Sequence, residues 1–204
     1  MSTPGAGFTD DGFTEDRTTI LPPSATSEPD AKERKRTPPA AHAGVDFGLF
    51  VLRLVFGGTM IVHGAQKVFG LFGGPGIGGF SQALRGFGFD NQLTLLSWIT
   101  GLTELIGGVL LVLGFLVPIA AAGLLGVTAC IVFLKWPGGF IQGSGQGFEY
   151  ELLLATVAFT FLFAGPGRIA LDRGRRWYLY APAFGLLGLL VAAAAAIVVL
   201  VMFR

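Results

Sequence analysis

Five long apolar segments dominate the chain from residue 47 onward, and each is close to the length of a membrane-crossing helix. A helix rises about 1.5 Å per residue, so roughly 20 apolar residues cross a hydrocarbon core. None of the segments alternates between apolar and polar residues as a membrane β-strand does. The pattern therefore predicts an all-α, polytopic membrane bundle with a four-helix core and a fifth C-terminal transmembrane helix. The predicted spans are Phe47–Phe69, Leu93–Gly114, Val117–Trp136, Phe148–Ala164 and Ala181–Phe203.

The residues outside these segments divide the chain into three parts. Residues 1–44 hold six of the 11 prolines and little apolar surface, so they are predicted to form a disordered cytoplasmic tail. Residues 45–173 are predicted to form the four-helix membrane domain, and residues 174–204 a basic loop with the fifth helix. The loop from Gly70 to Gln92 contains a short amphipathic piece around Phe80, Leu84 and Phe87, which we expect to lie at the membrane interface.

Composition narrows the function classes. Hydrophobic residues make up 52% of the chain and charged residues 13%, with a formal net charge of +1. These values argue against a soluble enzyme and against a nucleic-acid partner, and they make the lipid bilayer the main partner. The single cysteine, Cys130, excludes a disulfide within one copy of the chain. Small residues in the fifth helix would suit packing within the chain or in a homo-oligomer.

Basic residues predict the orientation. A basic cluster at residues 32–36 and the stretch Arg168–Arg176 are separated by four predicted crossings. Lys and Arg are concentrated on the cytoplasmic side of membrane proteins, so both regions are predicted to lie there. The chain is therefore expected to be a multi-pass protein of the cell membrane, with its N-terminus in the cytoplasm and its C-terminus outside.

Ionisable residues inside the spans are costly in hydrocarbon and therefore informative. Arg53 shares one face of the first span with Gly57 and Gly64, and Glu104 shares a face of the second span with Gly108. Small residues on the same faces indicate contact with neighbouring helices. Counting residues from the cytoplasmic ends of the two spans predicts matching depth for Arg53 and Glu104. We therefore expect these two side chains to form a structural ion pair.

Five further ionisable residues are predicted near the outer surface: His63, Lys67, Lys135, Glu149 and Glu151. Together they are candidates for a ligand-binding polar cap. Glu149 and Glu151 lie about 200° apart on a helix, and Thr156 and Thr160 continue the Glu149 face, so Glu149 is expected to point inward. Structural roles remain open, because Lys67 and Lys135 can extend to the headgroups and His63 can be an ordinary hydrogen-bonding partner. A lone histidine in the spans predicts no metal site.

The order of these residues resembles the DoxX family over about residues 45–173. The resemblance rests on Arg53, the His63-Gly64 pair with Lys67, Glu104, and Gly147-Phe148-Glu149, followed by Gly165-Pro166-Gly167-Arg168 and Leu171-Asp172. The family is named for the small membrane subunit of thiosulfate:quinone oxidoreductases. No cofactor is evident from the residues themselves. The resemblance implies a membrane subunit of a redox or oxidative-stress system with a soluble redox partner, and it makes a quinone a candidate cofactor.

Two function hypotheses follow, and neither establishes whether the chain is an enzyme. In the first, the outer polar cap binds a small anion or a quinone head group, and Lys67 and His63 supply positive charge and hydrogen-bond donors. In the second, the chain is a non-catalytic membrane scaffold that recruits a soluble partner through its N-terminal tail.

Overall fold

The structure is a computed structural model that describes residues 43–141, 143, 147–173 and 180–204. Within these ranges the chain forms six α-helices and two short 3₁₀ turns and contains no strand. The helices are α1 (Ala43–Phe69), α2 (Gly76–Gly86), α3 (Leu93–Leu113), α4 (Val117–Lys135), α5 (Glu149–Ala164) and α6 (Ala181–Met202). The predicted tail lies outside the described residues except for Ala43 and Gly44, which begin α1. Residues 174–179 of the predicted basic loop lie outside them too.

Helices long and apolar enough to span a membrane are confirmed for four of the five predicted spans. The segments Ala43–Phe69, Leu93–Leu113, Val117–Gly138 and Pro182–Met202 are long and apolar enough to cross a bilayer. Helix α5 has only 16 residues, which corresponds to a rise of about 24 Å against a hydrocarbon core of about 30 Å. It is therefore shorter than the length that a full span needs.

Helix α5 nevertheless runs between the same two ends of the bundle as its neighbours. Its first turn contacts the end of α4, where Lys135 binds Glu151. The residues that follow it contact the start of α1, where the Arg168 N–H donates to Asp46. We call these the Lys67 end (the end of α1, helix α2, the end of α4 and the start of α5) and the Arg53 end (the start of α1, the α3–α4 turn and residues 165–173). The described chain thus begins at the Arg53 end, and after five traversals α6 finishes at the Lys67 end, where Phe203 O accepts from Asp90 N–H.

Glycines bring α1 and α3 into close contact, as the shared stripes of small and charged residues predict. A Cβ added to Gly57 would lie 2.8 Å from Gly108 O, and one added to Gly108 would lie 2.6 Å from Gly57 O. No side chain fits in either place, so the two backbones touch directly. Further along the pair, Gly64 meets Leu105. These contacts fix which residues of α1 and α3 lie at the same depth.

An apolar core fills the space between α1, α3, α4 and α5. The rings of Phe56 and Phe161 stack with their centroids 6.3 Å apart, and Met60 and Leu111 are buried beside them. Helix α4 contributes small side chains such as Ala121, which allow close packing on both sides. Helix α6 adds to this core from outside, because Gly185 and Gly188 lie against Phe163 and Leu162. Gly185 and Gly188 of the fifth helix therefore pack within the chain, and packing between copies stays a prediction.

Helix α2 is the predicted amphipathic piece of the long loop, and it packs on protein with one face. Leu84 is buried in a small apolar cluster with Phe89 and Leu96. The hydroxyls of Ser81 and Ser97 lie 2.9 Å apart and connect α2 to α3, while Phe87 remains exposed. Helix α2 therefore covers the Lys67 end of the bundle.

The contact between α1 and α3 predicts opposite effects for two adjacent glycines. Gly57→Ala places a methyl group against backbone and should destabilise the protein by about 1–3 kcal/mol, the usual cost of overpacking. Gly58 has open space around its Cβ position, so Gly58→Ala should be neutral or slightly stabilising because alanine favours helix. Thermal unfolding of both variants in the same detergent measures the difference. Equal stability of the two variants would contradict the direct backbone contact.

Candidate functional site at the Lys67 end

A buried ion pair joins α1 to α3 at the Lys67 end. Lys67 Nζ lies 2.5 Å from Glu104 Oε2, and Glu104 is only 3% exposed. The ammonium also lies 5.3 Å from the centre of the Phe80 ring, which belongs to α2. Glu104 therefore meets its counter-charge inside the protein, as a carboxylate in the bundle interior must.

A second ion pair joins α4 to α5 at the same end. Lys135 Nζ donates to Glu151 Oε1 at 2.5 Å, and Glu151 is 8% exposed. The expectation that Glu149 points inward is wrong, because Glu151 is the buried member and Glu149 is half-buried in the first turn. Thr156 and Thr160 are poor guides to the inner face, since their hydroxyls bond carbonyls of their own helix, Leu152 O and Thr156 O.

His63 of α1 and Tyr150 of α5 connect the two ion-paired helix pairs to each other. The Tyr150 hydroxyl lies 3.4 Å from His63 Nε2, and the two ring centroids are 6.2 Å apart. His63 lies within electrostatic range of both Lys67 and Glu151. The histidine is thus placed between the two ion pairs, and it is partly exposed.

The predicted ion pair between Arg53 and Glu104 is wrong. Arg53 is 1% exposed and donates to two carbonyl oxygens at the Arg53 end, Leu111 O at 3.4 Å and Ile169 O. The glycine contacts set the register of α1 and α3, so that Arg53 lies beside Leu111. Glu104 is seven residues earlier on α3, roughly 10 Å of helix rise away. A count from the expected helix ends gives the wrong relative depth for Arg53 and Glu104, because the two helices are aligned by the glycine contacts and not by their ends.

The counter-charge of Arg53 comes from the loop after α5. Asp172 is fully buried and acts on Arg53 electrostatically. Its Oδ2 accepts from Val117 N–H at 2.9 Å, at the first turn of α4. Asp46 likewise accepts from Arg168 N–H at 2.8 Å, and its other oxygen lies 3.6 Å from the Arg168 side chain. The Gly-Pro-Gly-Arg loop therefore covers the Arg53 end. The contacts of Asp46 and Asp172 bind this loop to α1 and α4, which is a structural role.

Three of these polar residues were not assigned a role from the sequence. Asp46 and Asp172 flank the apolar segments and resemble ordinary surface carboxylates until the loop folds back on the bundle. Tyr150 has no special spacing in the sequence. The position of Asp172 after the Gly-Pro-Gly-Arg motif was the one sequence feature that marked this residue. The motif alone does not identify which residues Asp172 contacts.

The cluster of His63, Lys67, Glu104, Lys135, Tyr150 and Glu151 therefore brings together four of the five predicted cap residues, and we call it the Lys67-end cluster. Its two lysines and two carboxylates balance in charge. One atom stands out: Glu151 Oε2 is buried and has no hydrogen-bond donor among the described residues. A buried carboxylate oxygen without a donor is costly, so it is a place where a hydrogen-bond donor from a ligand is favoured.

The described residues contain no group of three or more histidine, cysteine or carboxylate side chains arranged to hold a metal ion. The chemistry available to the Lys67-end cluster from its own side chains is hydrogen bonding and proton exchange, through the imidazole of His63, the hydroxyl of Tyr150 and the carboxylate of Glu151.

Comparison with known proteins identifies a family model that matches part of the chain. The model of the DoxX family matches residues 48–136. The matched region runs from α1 to the end of α4 and contains His63, Lys67, Glu104 and Lys135, whereas Glu151 lies beyond it. No curated protein and no solved structure matches the chain.

Proposed function

Since the chain belongs to the DoxX family of membrane proteins, we propose that it is the membrane subunit of a redox system and that the Lys67-end cluster binds a quinone head group. The family and the apolar helices support an integral membrane protein. The quinone and the redox role are the proposal, and the donor-free oxygen of Glu151 is the observation that carries it.

The charge pairing favours a quinone over a small anion. Lys67 and Lys135 are each bound to a carboxylate at 2.5 Å, so neither ammonium is free to neutralise an incoming anion. An anion would also approach Glu104 and Glu151, and like charges at close range repel. A neutral molecule that both donates and accepts hydrogen bonds fits such a site better.

Glu151 and His63 supply the proton chemistry that this ligand requires. Interconversion of a quinone and its quinol moves two protons and two electrons. Glu151 Oε2 accepts a hydrogen bond and then a proton from a hydroxyl, and His63 exchanges the second proton with the partly exposed surface. Lys135 holds the Glu151 carboxylate in place through Oε1, and Tyr150 orients the imidazole. The electrons pass between the ligand and a soluble redox partner.

The scaffold hypothesis depends on the N-terminal tail, and residues 1–42 lie outside the described residues. No contact in the described part of the chain favours it, and it stays a prediction from the sequence.

Quinone binding can be measured on the purified full chain in lipid nanodiscs. The probe is a benzoquinone with a single isoprene unit, and the readout is quenching of tryptophan fluorescence, since Trp136 follows Lys135 and stacks on Phe148. Glu151→Gln and His63→Gln should each raise the dissociation constant at least about tenfold, equivalent to about 1.4 kcal/mol. Both substitutions nearly preserve side-chain volume.

Asp90→Asn is the matched control, because Asp90 is an exposed carboxylate at the same end of the bundle. It should leave the dissociation constant unchanged, and thermal unfolding of all three variants shows whether each is folded. Unchanged binding in folded Glu151→Gln and His63→Gln would refute the head-group site. If a thiosulfate or sulfate probe bound more tightly than the quinone, the ligand of the Lys67-end cluster would be an anion and not a quinone.

For orientation, we propose that the Arg53 end faces the cytoplasm of a cell membrane and that α6 ends outside. The basic residues of the loop after α5 support this, since Arg168 and Arg173 lie at the Arg53 end. Epitope tags at the two termini test it: in intact cells an antibody should reach a tag after Arg204 and not one before Met1. The reverse labelling would overturn the orientation.

A further inference from the structure

A long apolar groove runs along the outside of the bundle between α3 and α6, with α4 as its floor. Its volume is about 480 Å³, within the range of sites that hold small molecules. The lining is apolar apart from Thr100, Thr103 and Cys130. Among the described residues its walls belong to α2, α3, α4 and α6 and to Phe89.

Small residues create the groove. On α4 the floor includes Gly123 and Gly126, and on α6 the wall includes Gly188, Ala192 and Ala195. Helices α4 and α6 approach closely at these positions, since a Cβ added to Gly126 would lie 3.5 Å from Ala192 O. The same lack of side-chain bulk leaves open space between α6 and α3. The groove is therefore a consequence of the helix packing and not of a single missing side chain.

The groove is longer than one leaflet of a bilayer is thick. Lining residues on α4 extend from Pro118 to Leu134, which corresponds to roughly 24 Å of helix rise. One leaflet contributes about half of the 30 Å hydrocarbon core. A phospholipid acyl chain from one leaflet would therefore cover part of the groove, whereas a long isoprenoid tail can follow it from end to end.

At the Lys67 end helix α2 lines the groove, and two of the lining residues, Phe80 and Leu134, are neighbours of lysines in the Lys67-end cluster. Helix α2 covers it there with Phe80 and Leu84, and Phe203 O accepts from Asp90 N–H across the same end. Phe80 lines the groove, and the Lys67 ammonium lies 5.3 Å from the centre of the Phe80 ring. Leu134 lines the groove and directly precedes Lys135. This end of the groove therefore lies near Lys67 through the Phe80 ring, and Lys135 is the next residue in the chain after a lining residue.

From this proximity and from the length of the groove we infer that the groove between α3, α4 and α6 seats the long isoprenoid tail of the same molecule whose head group occupies the Lys67-end cluster. This inference rests on the proposed function. The head group enters past Phe80 and Leu134, and the tail remains in the groove against the small residues of α4 and α6. The groove then selects for tail length, whereas His63 and Glu151 recognise the head.

A phenylalanine placed in the groove tests this assignment. Ala195 lines the groove, and Ala193 lies on the same helix about 200° away, exposed and outside the lining. Ala195→Phe and the control Ala193→Phe add the same ring. The full chain in nanodiscs is titrated with two probes, a benzoquinone with a tail of about ten isoprene units and the same benzoquinone with one unit. Ala195→Phe should weaken binding of the long-tailed probe about tenfold and leave the short-tailed probe unchanged, and Ala193→Phe should change neither.

The outcomes separate the groove from the head-group site. If Ala195→Phe leaves long-tailed binding unchanged while Glu151→Gln weakens both probes, the tail assignment is wrong and the head-group site stands. If Ala195→Phe weakens long-tailed binding while Glu151→Gln and His63→Gln have no effect, the groove holds a tail but the proposed head-group site is wrong. If a phospholipid co-purifies with the chain and the long-tailed probe does not displace it, the groove is a lipid seat and the inference is overturned.

Discussion

The cost of placing charge in hydrocarbon is the constraint that organises this protein. Each carboxylate in the bundle interior must meet a cation there, because lipid offers no water to solvate it. Glu104 and Glu151 pair with lysines of neighbouring helices, and Arg53 lies within electrostatic range of the buried Asp172. Since every pair joins two different segments of the chain, the pairs connect α1 with α3, α4 with α5, and α1 with the loop after α5.

The fold could be predicted from the sequence because the period and length of apolar segments act locally. Spans, hairpins and the amphipathic helix α2 all depend on residues close in the chain, and α3 and α4 match their predicted segments to within one residue. Partners could not be predicted in the same way. Arg53 and Glu104 lie on suitable helix faces and have opposite charges, yet the backbone contact of Gly57 with Gly108 places them at different depths in the bundle. Which residues pair depends on the register between two helices, and a residue count along a single helix cannot give that register.

The candidate site shows the same limit. The sequence identifies His63, Lys67, Lys135 and Glu151 as a group, because ionisable residues in apolar segments are rare. It selects the wrong carboxylate of Glu149 and Glu151, because both lie in the first turn of α5 and only the position of α4 distinguishes them. The donor-free oxygen of Glu151 and the groove behind Phe80 are properties of packed helices. An amphiphilic redox molecule, the proposed ligand, would need both a polar site for its head group and an apolar seat for its tail.

Double-mutant cycles on Glu104 test the pairing most directly. Unfolding free energies in one detergent are measured for Glu104→Gln, Lys67→Met, Arg53→Met and the two double variants that contain Glu104→Gln. The structure predicts a coupling energy above about 1 kcal/mol between Lys67 and Glu104, and additivity within about 0.5 kcal/mol between Arg53 and Glu104. Coupling of Glu104 to Arg53, with additivity for Lys67, would contradict the register and the site built on it.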